Sequence, residues 1–343
     1  MDSDKYFGND CHRNCSNYFS TKTMTEQQIS QFKKGAEHVV DERDYVFGAE
    51  FVAPYNWNAP YQFTVPITAS NQNGSSSCVG QSTMNIAKIS YYSLNHPVFD
   101  FSARFIYSQI HLPGGGAYMR DGVSTLVKQG ICSNVIMPSD PQFESHMQDK
   151  TGLAQAQVEA KTYDIYTGDV AYAEVAKNID SVAAAIRDHG SVIIGATGHN
   201  LGWTNADVIP PQIGDGQGTW GHAVTGIQPL MRNGKKAIRF INSWGSTWGD
   251  RGTGYFYEDY FQSGFIMVVY VLTSNFSLPQ TMLKLIIKNT EQYLRAPDGR
   301  DWHVYNSSTL HDLLAAGIIS SLNPEPVASI NDTGREFVSL VRE

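Results

Sequence analysis

The stretch Gln72-Asn73-Gly74-Ser75-Ser76-Ser77-Cys78 makes chemical sense only if two later segments, Gly221-His222-Ala223-Val224 and Asn242-Ser243-Trp244-Gly245, fold against it. A thiol becomes a useful nucleophile when an imidazole within hydrogen-bond reach takes its proton and a third group holds that imidazole in one tautomer and orientation. Cys78, His222 and Asn242 can supply those three roles. Gln72, six positions before the cysteine (78 − 72), could aim an amide donor at a developing oxyanion, with the Cys78 N–H as the second donor. Any fold that uses this set must carry residues from both halves of the chain into one cleft.

These segments resemble the papain-like (C1) cysteine peptidases. The resemblance rests on Asn71-Gln72, Ser77-Cys78, His222-Ala223-Val224 and the run from Asn242-Ser243-Trp244-Gly245 through Trp248-Gly249-Asp250-Arg251-Gly252, and covers roughly residues 50 to 275. The family places its His and Asn about 130 to 150 residues after the nucleophile. Here the separations are 144 (222 − 78) and 164 (242 − 78), so an insertion is implied. Ser75 stands where many members have a half-cystine, and Val79 replaces the aromatic residue expected after the nucleophile. The missing half-cystine points to the divergent bacterial and viral branches.

The resemblance implies a two-lobed α+β fold, with a helical lobe carrying Cys78 and a β-barrel-like lobe carrying His222 and Asn242. It implies peptide-bond hydrolysis through an acyl-enzyme, with Cys78, His222, Asn242 and Gln72 catalytic and Trp244 screening the Asn–His contact. Gly115 and Gly116 would let a substrate backbone lie against the enzyme. Ala117, Tyr118, Trp220 and Ala223 would wall an apolar pocket for the residue two before the scissile bond. No metal or organic cofactor is called for. Two alternatives stay open: a catalytically silent binding module on the same scaffold, and a transpeptidase or exopeptidase.

A net charge of −8 argues against a duplex nucleic acid partner, which needs clustered Lys and Arg. Four cysteines are too few for a disulfide framework and favour a reducing compartment. The start Met1-Asp2-Ser3-Asp4-Lys5-Tyr6 lacks the apolar run of a secretory signal, and no later stretch is long and apolar enough to span a membrane. The expected setting is cytoplasmic or otherwise intracellular, or a virion, with a peptide or protein as partner and no membrane or nucleic acid. Cys11-His12-Arg13-Asn14-Cys15 offers three metal ligands where a closed zinc site needs four, so free thiols or a local disulfide are expected there.

Thr25-Glu26-Gln27-Gln28 is a capping box, and Ile29, Phe32, Ala36 and Val39 fall on one face of a predicted helix. Many papain relatives keep an inhibitory propeptide in this position. A helix with one apolar stripe generally covers core, so residues 1–50 are expected to pack outside a lobe rather than mask the cleft. Residues 51–275 form the peptidase unit. Ser77 is placed to cap a helix from Cys78 to about Leu94, whose N-terminus favours a thiolate. Further helices are predicted at 102–110, 119–129 and 181–189, with 138–149 as loop and 198–221 as an extended surface loop. Strands follow at 191–196, 223–227, 236–242, 254–257 and 265–272. Residues 276–343 read as a small α+β appendage whose partner the sequence does not name, with a strand at 283–287, a hairpin around Pro297-Asp298-Gly299 and a helix at 306–316.

Overall fold

The computed structural model describes residues 35–39, 46–47, 54–59, 61, 66–94, 96–163, 170–213 and 219–273, and the strands 284–288, 291–295, 301–303 and 325–326. The predicted helix face at Ile29 and Phe32, the Cys11–Cys15 cluster and the predicted helix at 306–316 lie outside the described residues.

One lobe is built on α1 (Cys78–Ser93), α2 (Ala103–Ile110) and α3 (Met119–Gln129). Their apolar residues recur at helical spacing and meet in one core that includes Val79, Ile86, Phe105, Ile106, Val123 and Leu126. Ser102 caps α2 by accepting from the Phe105 amide, and Gly130 closes α3 at φ +80°, where glycine is free of Cβ strain. Ser77 holds the N-cap position of α1 without making a capping bond, because its hydroxyl is engaged by Ser75 and Gln81 instead. The stretch expected as loop at 138–149 contains α4 (Glu144–Gln148), and α5 (Leu153–Ala160) follows with no counterpart in the sequence reading. Both are short, and such brief helices offer too few turns for a periodic signal.

The second lobe is an eight-stranded sheet. Its strands are β2 (Val46–Phe47), β4 (Ala171–Val175), β5 (Val192–Gly198), β6 (Asp207–Val208), β7 (Trp220–Arg232), β8 (Lys235–Ile241), β9 (Thr253–Tyr257) and β10 (Ile266–Thr273). They lie in the order β2-β4-β10-β5-β7-β8-β9-β6, with β2–β4 and β6–β9 parallel and the rest antiparallel. The end strands β2 and β6 do not pair with each other among the described residues, so the barrel-like lobe is an open sheet. Helix α6 (Ile179–His189), capped by Asn178, contributes Val182 and Ile186 to a core with Val192, Val224, Phe240 and Val269. A further helix, α7 (Glu258–Gln262), supplies Tyr260 and Phe261 to the same core.

Part of the segment expected as surface loop is interior: Trp203, in a single 3-10 turn at Leu201–Trp203, is wholly buried, and β6 begins four residues later. The Gly, Pro and Asp content of this segment reads as loop, yet the core claims one of its large apolar side chains. Beyond it, β11 (Lys284–Lys288), β12 (Glu291–Arg295), β13 (Asp301–His303) and β14 (Glu325–Pro326) form a separate four-stranded sheet in the order β13-β12-β11-β14. No described helix is long and apolar enough to cross a membrane.

The remaining pair of strands departs most from expectation. Ala36–Glu37 is not helical but strand β1, pairing in parallel with β3 (Ala117–Tyr118), and Val39 is 60% exposed. Backbone bonds to residues distant in sequence override the helical spacing of Ala36 and Val39. They also carry this part of the N-terminal extension into the cleft instead of onto the outside of a lobe.

Candidate active site

Helix α1 presents Cys78 at its first turn, fully buried. Strand β7 presents His222, and the Ala223 amide next to it donates towards the Cys78 sulfur, so thiol and imidazole share one corner of the cleft. Asn242 follows the end of β8, which is paired in register with β7. Its Oδ1 lies 2.8 Å from His222 Nε2 and also accepts from the Ser243 amide at 2.8 Å. That backbone donor settles which end of the amide faces the ring. An oxygen pinned in this way can only accept, so Nε2 carries the proton and Nδ1 keeps its lone pair. Nδ1 has no hydrogen-bond partner among the described residues, which leaves it as the basic nitrogen of the site.

Trp244 stacks on His222 with ring centroids 4.8 Å apart and 28° between planes, while Trp203 meets the same ring edge-on at 5.3 Å. The Asn–His bond therefore sits behind indole rings, in a low-dielectric setting that strengthens it. Trp203 was invisible as a site residue in the sequence because it belongs to no motif. Trp220 packs on Trp203 and Trp244, on the His222 side of β7.

Gln72 ties the lobes together. Its amide N–H donates to the Ser243 carbonyl at 2.8 Å, and its Oε1 accepts from Ser243 Oγ at 2.6 Å. Nε2 gives one hydrogen to the Ser75 carbonyl at 2.5 Å and has a second to give. The turn residue Ser243 thus positions Gln72, a role the motif contained but its spacing did not announce.

Gly115 and Gly116 adopt φ of +96° and +83°, the left-handed region open to glycine. Residues 35–37 lie against this loop. The Ala117 amide donates to the Gly35 carbonyl at 2.8 Å, and the Gly35 amide donates to the Gly221 carbonyl at 3.2 Å. A Cβ on Gly116 would come 3.1 Å from the Gly35 oxygen, and one on Gly221 would overlap the Ala36 carbonyl. Both glycines are spaces filled by a passing backbone. The side chain of Ala36 joins a cluster that includes Ala117, Ala223 and Met267. Ala117 and Ala223 therefore meet on one side of the cleft, Tyr118 is half-buried at its edge, and Trp220 sits with the aromatic residues on the other side. Met267, absent from the sequence reading, lies near Gly221.

With the cleft filled, burial pushes the Cys78 thiol up to about 12, while burial lowers His222 to about 4 against the opposing pull of Asn242. Both shifts favour the uncharged forms, against the thiolate that a helix N-terminus favours. Desolvation outweighs the dipole while residues 35–37 exclude water.

No family model and no curated protein matches the sequence. Among solved structures the fold is similar to xylellain, a cysteine protease from Xylella fastidiosa, at 22% identity and a TM-score of 0.57, covering 71% of this chain and 97% of that one. It is also similar to digestive procathepsin L 3 of Tenebrio molitor larval midgut (16% identity, TM-score 0.53, covering 73% and 79%). A third is proCathepsin B S9 from Trypanosoma congolense (13%, 0.53, 73% and 89%). The fold is that of the papain-like cysteine proteases.

Proposed function

We propose that the protein is a cysteine peptidase hydrolysing peptide bonds through a Cys78 acyl-enzyme, and that residues 35–37 hold the described form closed. The carrying observation is the buried His222–Asn242 pair beside Cys78, with Nε2–H fixed and Nδ1 bare. In the opened cleft Nδ1 takes the thiol proton, and the sulfur attacks the scissile carbonyl carbon. The Cys78 amide and the second Nε2 hydrogen of Gln72 receive the oxyanion. The proton on Nδ1 passes to the leaving amine as the C–N bond breaks. Water then gives a proton to Nδ1 and attacks the thioester, releasing the acid and restoring the thiol. Asn242 holds Nε2–H throughout.

The closed state is supported by the two backbone bonds at Gly35 and by its position over Cys78. The test is turnover of an internally quenched peptide library by the full chain, lost in Cys78→Ser and in His222→Ala. Products formed with and without an added amine separate hydrolysis from acyl transfer. A wild-type chain that turns over no peptide at any pH sinks the reading.

A further inference from the structure

Glu144, on α4 and outside every motif above, reaches two parts of the cleft at once. Its Oε2 accepts from the backbone amide of Ser76, two residues before Cys78, at 2.5 Å. Its Oε1 accepts from the Tyr107 hydroxyl at 2.6 Å, and Tyr107 Oη in turn accepts from the Gly116 amide at 2.9 Å. Tyr107 is fully buried, and desolvation together with the Glu144 carboxylate pushes its phenol upward, so it stays protonated and can donate. Gln148, one turn along α4, gives the same Oε1 a second donor at 2.7 Å. The two described cysteines, Cys78 and Cys132, are both free, so no disulfide joins them.

We propose that Glu144 and Tyr107 are positioning residues that clamp the nucleophile loop to the glycine loop, keeping the thiol in register with the strand edge that receives a peptide backbone. This rests on the peptidase reading above. A carboxylate suits the place because both of its oxygens accept, whereas a carboxamide keeps one acceptor and turns its NH2 either to the Ser76 amide, which can only donate, or to the side where Tyr107 and Gln148 donate, so the three donors cannot all be met. Charge-assisted bonds of this length are also the strong ones. Removing Tyr107 Oη breaks only the glycine-loop arm, while removing the charge at Glu144 breaks both. The two residues should therefore behave as one unit, with effects that do not add.

The test uses the full chain with Tyr107→Phe, Glu144→Gln and the double variant, read by residue-resolved amide exchange and by steady-state peptide hydrolysis. Tyr107→Phe is expected to speed exchange at Gly116 by roughly tenfold and to raise KM by about the same factor, the worth of one buried hydrogen bond, with kcat within about twofold. Glu144→Gln is expected to speed exchange at both Ser76 and Gly116 and to lower kcat as well as raise KM, the double variant being no worse than Glu144→Gln. Unchanged exchange at Gly116 in both variants overturns the clamp, as does a KM and kcat that follow only the loss of thermal stability. If Glu144→Gln does not fold, Tyr107→Phe decides alone. The exchange measurement stands even if the wild type hydrolyses nothing: protection lost at the two named amides upholds the clamp while the peptidase reading falls, and protection retained sinks the clamp independently.

Discussion

Gly35 lies against the sulfur of Cys78 so closely that a Cβ at that position would overlap both the Cys78 Sγ and the Ser76 carbonyl. A segment that must be glycine to sit over the nucleophile can be displaced by one methyl group. Overpacking of this kind costs about 1–3 kcal/mol, so Gly35→Ala should raise the open population by roughly ten- to a hundredfold. The measurement is the rate at which an epoxysuccinyl peptide labels Cys78 in the full chain. Labelling no faster than in the wild type would show that the segment does not guard the thiol.

The pH dependence follows from the directions of the two shifts. His222 falls from 6.5 to about 4 in the closed form. The unfolded chain thus binds the extra proton first as pH drops, and the closed form loses stability against unfolding from about 6.5 down to about 4. Cys78 rises from 9.0 to about 12, so the closed form holds its proton longer and loses stability as pH climbs through that window. The closed fold should be most stable against unfolding, as far as these two groups decide it, between roughly pH 6.5 and 9. Preincubation at pH 5 should then increase labelling of Cys78 measured immediately after return to neutral pH. An equal rate after preincubation at pH 5 and at pH 7.5 would contradict this.

Asn242→Ala removes the acceptor that fixes Nε2–H and leaves a buried N–H unpaired. We expect kcat to fall by roughly ten- to a hundredfold, about 1.4–2.7 kcal/mol, with Cys78 still labelled. Cys78→Ser should be inactive and unlabelled. His222→Ala should abolish preferential labelling of Cys78 over Cys132, while His199→Ala should leave it. If His199→Ala rather than His222→Ala removes the selectivity, the base has been misassigned.

Ser243→Ala strands Gln72 Oε1 in the interior. The expected cost is about 1–3 kcal/mol of stability, with a drop in kcat beyond that of an exposed control such as Lys150→Ala, because the donor proposed for the oxyanion loses its anchor. Chemical denaturation, with kinetics measured below the transition where the variant is fully folded, separates the two effects. Unaltered kcat in a destabilised variant would remove Gln72 from the chemistry.

Ala36 is buried in the same apolar cluster as Ala117 and Ala223, with Met267 packed against that cluster. A peptide library should show preference for a small or flexible apolar side chain there, and Met267→Glu should shift that preference towards basic residues. Selection of Arg or Asp by the wild type would count against this assignment.

What the sequence by itself determined is local and chemical. Cys78 at a helix start, His222 in a strand and Asn242 after one are readable because each depends on neighbours within a few residues. The three helices of the first lobe are legible for the same reason, since their apolar residues repeat at short range. Tertiary structure decided everything that depends on distant partners. Ala36 and Val39 share a helical face in the sequence, yet the strand at 36–37 forms because Ala117 and Gly221 supply backbone bonds there that no local pattern encodes. Trp203 is called into the core from a loop-like context, and Glu144 acquires its neighbours only when α4 folds back onto the nucleophile loop. The surroundings of the thiol belong to the same class: a helix N-terminus alone favours a thiolate, but burial, to which a segment some forty residues earlier in the chain contributes, pushes the other way.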